Sequence, residues 1–254
     1  MENRSSQWNA ALYDGKHAFV SKYGSKLIDL LNPKNGEFIL DLGCGTGDLA
    51  NELHQLEVKV KGIDQSATMI NQAKNKFPYI DFHVQDAKEL SYSETFDAVF
   101  SNATLHWIKS PKKVLDGIYK SLKDNGRFVA EFGGKGNIEK VSSEVSTQMR
   151  KLGIRCSDDM FPWYFPSIGT YTSLMESSGF KVTFAQHFER PTQLDGENGM
   201  KNWIVMFGNL FFKDLDEETK STVISNTVEA LRPSMFDGQN WIADYKRIRV
   251  VGIK

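Results

Sequence analysis

The chain has 254 residues, of which 40% are hydrophobic and 25% are charged, a composition typical of a globular protein of one domain rather than of a disordered chain. Its 31 basic residues nearly balance its 32 acidic ones, so it lacks the positive excess that binds nucleic-acid backbones or anionic membranes. Two cysteines are too few for a disulfide framework or a cysteine-rich zinc site, and the five histidines do not have the spacing of metal ligands.

The first residues of the chain, Met1 to Gln7, contain no apolar stretch behind a basic region, so no secretory signal is predicted. The most apolar window, 203–212, is interrupted by Gly208 and Asn209 and is too short to span a bilayer. We therefore expect a cytoplasmic, globular and catalytic protein, without a metal ion, a nucleic acid or a membrane as partner.

A helix is predicted first, near residues 17–31. From about residue 37 to 132, short β-rich runs then alternate with amphipathic stretches. The predicted strands cover 37–42, 58–63, 80–85, 96–101 and 127–132, and the predicted helices cover about 48–56, 66–76 and 111–123. Strand–helix–strand units of this length imply right-handed crossovers and a parallel sheet covered on both faces. The pattern predicts a doubly wound α/β fold.

Beyond residue 136 this alternation stops. The stretches 137–166 and 194–236 read as helical, a helix near 167–178 precedes a strand at 180–188, and the last run, 241–254, reads as a strand. A mostly parallel, seven-stranded sheet is therefore expected, with a single domain whose core covers about 34–136, 167–190 and 238–254. We expect residues 1–31, 137–166 and 194–236 to be helical insertions that form a cap at the carboxyl ends of the strands, where such sheets bind ligands.

The strongest local signal is the segment Asp41 to Gly47, which reads Asp-Leu-Gly-Cys-Gly-Thr-Gly and follows the first predicted strand. Its glycines permit a tight turn and the close approach of a ligand to the backbone. No P-loop sequence occurs in the chain. A dinucleotide fingerprint would need its third glycine where Asp48 or Ala50 stands. Alanine is tolerated there, but Asp48 in the first helical turn would repel a pyrophosphate, so a nicotinamide oxidoreductase is a disfavoured alternative.

With its acid at the end of a strand and its three alternating glycines, this segment resembles the first motif of class I S-adenosylmethionine-dependent methyltransferases. Three further segments match that family in order. Asp64 ends the second strand, where the family's acid accepts the ribose hydroxyls, and Asp86 follows the third strand, where the family reads the adenine amino group. Residues 96–102 resemble the fourth-strand motif that lines the methionine end. The resemblance implies a Rossmann-like fold and S-adenosyl-L-methionine as cofactor, with S-adenosyl-L-homocysteine as product.

The residues expected to bind the cofactor lie at or just after the ends of these four strands. They are Asp41, Gly43, Cys44, Gly45, Gly47, Asp64, Gln65, Met69, Gln85, Asp86, Ala87 and Asn102. Other interpretations stay open for single members of this set. Asp64 could instead cap the helix that follows it, and Cys44 could be a small packing residue rather than a reactive thiol.

Within the family, the chain is similar to the bacterial small-molecule branch that includes trans-aconitate methyltransferase. This likeness covers about residues 7–135 and depends on 102–107 (Asn-Ala-Thr-Leu-His-Trp) together with Trp8 and Tyr13. The chain lacks the Pro-Pro-aromatic signature of amino-directed nucleic-acid enzymes, the Pro-Cys nucleophile of cytosine-carbon enzymes and the carboxylate cluster of metal-dependent catechol-type enzymes. The likeness implies methyl transfer to a small molecule by in-line displacement, with a carboxylate or hydroxyl oxygen favoured.

His106 is the residue best placed to act as a catalytic base for a hydroxyl or amine acceptor, whereas a carboxylate acceptor needs none. The alternative for His106 is a histidine that packs in the core or shapes the acceptor pocket. Tyr13, Trp107 and Trp163 are expected to contact the substrate. The basic residues Lys246, Arg247 and Arg249 are interpreted as a solvated face. Two further alternatives remain: a protein that binds S-adenosylmethionine without transferring its methyl group, and a small-molecule methyltransferase directed to nitrogen or carbon.

Overall fold

The structure is a computed structural model that describes residues 19–156, 160–213 and 215–254. The chain divides into two compact units. The first unit comprises the described residues up to 132 together with 166–186 and 248–254, and the second comprises those of 133–165 and 187–247. None of the helices in the described ranges has the length and hydropathy needed to cross a membrane.

The strands form a seven-stranded, mostly parallel sheet in the order β3-β2-β1-β4-β5-β7-β6. They are β1 (Phe38–Leu42), β2 (Lys59–Asp64), β3 (Asp81–Val84), β4 (Phe96–Asn102), β5 (Leu122–Gly133), β6 (Lys181–Leu194) and β7 (Trp241–Ile253). The helices are α1 (Phe19–Leu31), α2 (Asp48–His54), α3 (Ala67–Lys76), α4 (Pro111–Ser121), α5 (Glu139–Lys151), α6 (Ile168–Ser177), α7 (Gly199–Phe207) and α8 (Glu217–Met235). This architecture confirms the predicted doubly wound α/β fold.

The strand order reverses at β1. From there the chain builds outward through β2 and β3, and then returns to place β4 on the other side of β1. The pairs β1–β2, β1–β4, β2–β3 and β4–β5 are all parallel. In open α/β sheets, ligands bind where the order reverses, at the carboxyl ends of the strands. The topology therefore predicts a ligand site at the segments that follow β1 and β4.

Amphipathic helices build the core of the first unit against this sheet. Along α3, Met69, Ile70 and Ala73 are buried, and Ser66 caps the helix by accepting a hydrogen bond from the backbone N–H of Met69. One continuous cluster of buried apolar side chains includes Ile39 of β1 and Val129 of β5. This packing fixes the strand ends that carry the polar residues described below.

The structure changes the expected role of the first helix. Residues 19–31 were expected in the cap, but α1 belongs to the first unit and its Leu27, Ile28 and Leu31 are buried in the core cluster. These residues recur at the i, i+1 and i+4 positions of one helix face, so the helix covers the sheet through that face. Residues 1–18, the rest of that predicted cap segment, lie outside the described residues.

Two strands extend beyond their predicted limits. β5 starts at Leu122 rather than at residue 127, because Leu122 pairs with Phe96 before a register shift brings Arg127 opposite Ala98. The intervening Asp-Asn-Gly reads as a turn in the sequence, which hides this pairing. β6 continues past Pro191 to Leu194. It is the last strand in the sheet order, and a proline is tolerated in an edge strand because its missing N–H breaks no ladder.

The second unit contains α5, α7 and α8, and α5 packs against α8. The helix predicted over 137–166 ends at Lys151, where Gly153 adopts a positive φ of 74° and its N–H bonds to the carbonyl of Arg150. Trp163, which follows, lies in an aromatic cluster, stacked on Phe165 with the ring planes 11° apart. The stretch read as one helical block over 194–236 contains α7 and α8 as separate helices.

Arg127 ties the end of α1 to the sheet. Its guanidinium donates to both carboxylate oxygens of Glu37, over 2.8 and 2.6 Å, and its Nε donates to the carbonyl of Leu31 at 2.6 Å. Burial opposes ionisation of Glu37, but the hydrogen bonds from Arg127 and from the N–H of Lys34 outweigh it and hold the pKa of Glu37 below its ordinary value. The side chains of the pair are 18% and 17% exposed, so solvent screens them less than a surface pair.

We expect Arg127→Ala to lower the free energy of unfolding by about 2–3 kcal/mol at pH 7, because Glu37 loses its countercharge and two hydrogen bonds, and the carbonyl of Leu31 loses the bond from the guanidinium. Urea unfolding would measure this change. Lys112→Ala, which removes an exposed ion pair with Asp116, is the matched control and should cost no more than about 0.5 kcal/mol. Equal midpoints for the two variants would contradict the assigned role. The difference should shrink in acid, as pH falls through the lowered pKa of Glu37.

Candidate active site

The predicted polar residues come together along one edge of the sheet. Because β1 to β4 are mutually parallel, their carboxyl ends lie on the same side. The order β3-β2-β1-β4 places Asp86, Asp64, Asp41 and Asn102 in that sequence along the edge. All four belong to the first unit. The edge is therefore a run of carboxylates that ends in an amide, centred on the point where the strand order reverses.

The loop after β1 turns its N–H groups toward the protein. The N–H groups of Gly43 and Cys44 both donate to the carbonyl of Ile63, over 2.8 and 3.0 Å. The N–H of Gly45 donates to Asp64 Oδ2 at 3.2 Å, and that of Gly47 donates to the carbonyl of Cys44 at 3.0 Å. A phosphate-binding loop needs such N–H groups to point at the ligand. These four are already engaged, which argues against a pyrophosphate as ligand.

The alternating glycines of this loop have different structural reasons. A Cβ on Gly43, where φ is +80°, would lie 2.1 Å from Thr104 Oγ1, and one on Gly47 would lie 2.8 Å from the ring of Phe82. At Gly45, where φ is +55°, a Cβ would meet nothing within 4 Å. Close packing therefore requires glycine at 43 and 47, while Gly45 borders open space into which a ligand can come close to the backbone.

Asp64 is held in place by the backbone around it. Its Oδ1 accepts from the N–H of Ser66 at 2.8 Å, while its Oδ2 accepts from Gly45. Burial raises the pKa of Asp64, and these two hydrogen bonds partly offset the effect. The N-cap of α3 is Ser66 rather than Asp64, so the capping interpretation of this acid does not hold. Each carboxylate oxygen keeps a second lone pair with which to accept from a ligand.

Asp41 differs from Asp64 in having an unsatisfied oxygen. Its side chain is 2% exposed, and its Oδ2 has no hydrogen-bond partner among the described residues. Burial, and then the negative charge of Asp64, raise the pKa of Asp41 to about 7. The thiol of Cys44 lies near both acids, and burial together with their charges raises the pKa of Cys44 well above its ordinary value. Such a thiol is a small buried packing group and a poor nucleophile.

At the end of β3, side chains organise the loop. Asp86 caps the short 3₁₀ helix Ala87–Glu89 by accepting from the N–H of Lys88 at 2.9 Å, and the Lys88 ammonium lies 3.2 Å from its other oxygen. The amide of Gln85 donates to the carbonyl of Glu89 and accepts from the hydroxyl of Tyr92. The role of Gln85 is thus to hold the loop, and its contact with a cofactor stays a prediction, as does that of Asp86.

The segment after β4 is held in a strained turn. Ala103 has a positive φ of 55° and donates its N–H to the carbonyl of Glu131 at 2.7 Å. The hydroxyl of Thr104 lies 3.2 Å from the carbonyl of Gly43 and 3.1 Å from that of Asn102, and donates to them. His106, 7% exposed, follows on the short 3₁₀ helix Leu105–Trp107, with its ring 5.6 Å from that of Trp107. The two loops at the switch point are thereby joined.

Neither Trp163 nor Tyr13 belongs to the described part of the first unit. Trp163 belongs to the second unit and is 5% exposed within its aromatic cluster, which accounts for the residue by core packing and leaves its contact with substrate a prediction. Tyr13 lies outside the described residues. Gln65 is exposed at the end of β2, and Met69 is buried on α3.

The interpretation of the C-terminal basic residues as a solvated face is wrong for two of them. Arg247 is 7% exposed, and the Nε of Arg249 donates to the buried carboxylate of Glu131 at 2.6 Å. The charges alternate with apolar residues as on a half-exposed strand, but β7 lies inside the sheet between β5 and β6. Burial on both faces of the strand explains the failure of the pattern.

Several residues that shape the site carried no recognisable signal in the sequence. Thr104 fills the space next to Gly43. It lies in the segment 102–107 on which the family likeness depends, but that likeness does not indicate its contact with the glycine loop. Lys76 neutralises Asp48 across 2.7 Å, which weakens the electrostatic argument that Asp48 alone would repel a phosphate. A phosphate is disfavoured instead by the loop N–H groups, which already donate to acceptors within the protein. Glu131 lies opposite Asn102 in the β4–β5 register, a pairing that appears only in three dimensions.

Taken together, these features define the ligand that fits. The buried, unsatisfied oxygen of Asp41 favours a positively charged ligand, and Asp64 offers acceptors for hydroxyl groups. Open space at Gly45 admits the ligand to the backbone, while the engaged loop N–H groups disfavour a phosphate. S-Adenosylmethionine carries a sulfonium, an ammonium and two ribose hydroxyls and has no phosphate, so the residues present fit it.

Comparison with known proteins also indicates a methyltransferase. Residues 33–175 match the family model described as Methyltransferase domain. An uncharacterized methyltransferase of Schizosaccharomyces pombe is 35% identical over 97% of this chain and 98% of its own length. A malonyl-[acyl-carrier protein] O-methyltransferase of Calditerrivibrio nitroreducens is 29% identical over 64% of this chain and 66% of its own. A trans-aconitate 2-methyltransferase of Escherichia coli is 30% identical over 48% of this chain and 49% of its own.

Solved structures share the fold at low identity. The YcgJ protein of Bacillus subtilis has a TM-score of 0.64 at 15% identity, over 92% of this chain and 98% of its own. Phosphoethanolamine N-methyltransferase 2 of Haemonchus contortus, solved with S-adenosyl-L-methionine, has a TM-score of 0.57 at 17% identity, over 92% of this chain and 52% of its own. At these identities the likeness concerns the fold alone.

Proposed function

The chain belongs to the methyltransferase domain family and is a class I S-adenosylmethionine-dependent methyltransferase, and from this premise we propose that it methylates an oxygen atom of a small molecule. The observation that carries the proposal is the segment after β4, where Ala103, Thr104 and Leu105 replace the Pro-Pro-aromatic signature of enzymes directed to nucleic-acid amino groups. Two relatives add support, since one is named a malonyl-[acyl-carrier protein] O-methyltransferase and the other a trans-aconitate 2-methyltransferase. Both names denote acids, which makes a carboxylate the first acceptor to test.

Five residues of the first unit would bind S-adenosylmethionine at its ribose, its adenine and its methionine end. Asp64 would accept from the ribose hydroxyls, Asp86 would face the adenine amino group, and Asp41 would compensate the positive charge of the methionine end. Gly45 would let that end approach the backbone, and Asn102 would line the site from β4. When bound, S-adenosylmethionine supplies a methyl group already activated by its sulfonium. What remains for the protein is mainly orientation, which can be worth roughly 7–11 kcal/mol of the barrier.

His106 bears on the nature of the acceptor. It is buried three residues beyond the strained Ala103, on a 3₁₀ helix that the β4 turn positions. A hydroxyl acceptor gains about 10²–10⁴-fold from a base that removes its proton, whereas a carboxylate is already ionised and gains nothing of the kind. The effect of replacing His106 therefore distinguishes the two oxygen acceptors.

The proposal is tested first by calorimetry with S-adenosylmethionine and S-adenosylhomocysteine, followed by a methyl-transfer screen of small carboxylic acids, then phenols and alcohols, then amines. Saturable binding of both cofactor forms and transfer to an acid or hydroxyl would support the proposal. Transfer to amines alone would overturn the oxygen preference. Binding in folded protein without transfer to any acceptor class would instead favour a binding protein that lacks transferase activity.

For a carboxylate acceptor, we expect His106→Asn to lower kcat less than about tenfold and to leave the pH profile of kcat unchanged, because no proton has to be removed. For a hydroxyl acceptor, kcat should fall by about 10²-fold or more, and the rise of the profile with pH should disappear. Steady-state kinetics across pH would measure both quantities. His83→Ala, at an exposed position on β3, is the control and should change neither.

A further inference from the structure

One buried acid of the site lacks a compensating group. Asp41 is buried in the first unit, with 2% of its surface exposed, and its Oδ2 has no hydrogen-bond partner among the described residues. A buried carboxylate without a donor or a countercharge is unfavourable, and such groups usually neutralise themselves by taking up a proton. A permanently ionised Asp41 would therefore be unfavourable in the empty site.

The groups that face Asp41 make its charge still less favourable. On β2, its register partner is Gly62, and Asp64 at the end of that strand adds a second negative charge. On β4, its register partner is the apolar Phe100. From the loop comes the thiol of Cys44, which is uncharged at neutral pH. Burial and Asp64 together raise the pKa of Asp41 to about 7.

We propose that Asp41 is the charge-sensing residue of the cofactor site, protonated while the site is empty and deprotonated when the positively charged donor binds. The inference depends on the proposed function only for the identity of that ligand. The step is a simple exchange in which the O–H bond of the Asp41 carboxyl breaks and its proton passes to buffer. The positive charge of the bound donor then compensates the carboxylate that remains.

The exchange predicts how affinity depends on pH. In the empty site the pKa of Asp41 is raised, and a bound cation must lower it, so protons and donor compete below neutral pH. Affinity should therefore fall as pH is lowered from 7, by about tenfold at about pH 5.5. The donor's own amino group titrates near pH 8, above this range, and so does not contribute.

Calorimetry of the intact protein measures the exchange directly. Binding of S-adenosylmethionine at pH 6.5 is run in phosphate and in a buffer of high ionisation enthalpy such as imidazole. The difference in heat should report about half a proton or more released per molecule bound. Asp41→Asn should release none, and its affinity should be the same at both ends of the pH range. A variant that keeps the wild-type proton release or pH slope would overturn the proposal.

A second measurement needs no ligand and separates this inference from the proposed function. In the empty protein the pKa of Asp41 is about 7, whereas in the unfolded chain it is about 4, so the acid lowers stability progressively between these two pH values. Asp41→Asn should therefore melt at a higher temperature than wild type at pH 8, with a smaller difference at pH 5.5 and none near pH 4. Asp97→Asn is the matched control and should melt lower at pH 8, since Asp97 accepts from Lys123 and from the N–H of Phe38. If the donor fails to bind, the proposed function fails. If the Asp41 variant gains no stability at pH 8, the proton-bearing role fails.

Discussion

Replacing Asp64 with alanine is expected to weaken the binding of S-adenosylmethionine by at least about a hundredfold while the sheet stays folded. The carboxylate would accept from two ribose hydroxyls, and hydrogen bonds to a charged group contribute about 1.5–3 kcal/mol each. Because the same carboxylate also accepts from the N–H groups of Gly45 and Ser66, its loss would loosen the loop that borders the ligand. Calorimetric titration of the variant measures the change.

The controls for Asp64 separate binding from folding. Asp64→Asn keeps one oxygen to accept from Ser66 and should fall between wild type and alanine in affinity, with a smaller loss of stability. Asp81→Ala removes another acid of the first unit, on β3 and away from the site, and should leave affinity unchanged. Unchanged affinity in Asp64→Ala, with a normal circular dichroism spectrum, would show that this acid does not hold the ribose.

The second large effect is expected from Gly43→Ala, which should lower the free energy of unfolding by about 3 kcal/mol or more. The new Cβ would lie 2.1 Å from Thr104 Oγ1, and φ at this position is +80°. Both the collision and the left-handed backbone oppose any side chain. The loops after β1 and β4 would have to separate, so cofactor binding should be lost as well. Urea unfolding gives the stability change.

Two further variants identify the cause of that loss. Gly45→Ala introduces a Cβ into open space, so it should cost only about 1 kcal/mol of stability yet impair cofactor binding by filling that space. Adding Thr104→Ala to Gly43→Ala removes the atoms that collide and should restore part of the lost stability. If the double variant is no more stable than Gly43→Ala alone, the Thr104 contact is not what requires glycine at 43.

The regular part of the fold could be predicted because its causes are local. Apolar runs, helix caps and the residues that stop helices follow one another at crossover spacing from residue 37 to 132, and the first four strands there lie close to their predicted positions. The polar residues of the site could be found for the same reason. Each stands at or just after the end of a strand, and parallel strands bring their carboxyl ends to one edge.

What could not be predicted depends on contacts between distant segments. Thr104 closes over Gly43, Glu131 supports the turn at Ala103, and Lys76 neutralises Asp48, yet none of these pairs is close in sequence. Arg249 was misread because a charged residue in an alternating pattern normally faces water, while in this sheet it forms an ion pair with a buried carboxylate. Such pairings follow from strand order and register, which the sequence pattern does not specify.

The carbonyl of Ile63 accepts from two successive N–H groups of the glycine loop, and this arrangement limits how the cofactor preference could be redesigned. Inserting glycines to complete a nucleotide-binding fingerprint would change the loop but would not release its donors, because β2 retains them. A redesign toward a phosphorylated cofactor would have to begin on the neighbouring strand. Laboratory evolution confined to residues 43–47 should therefore fail to change the cofactor class.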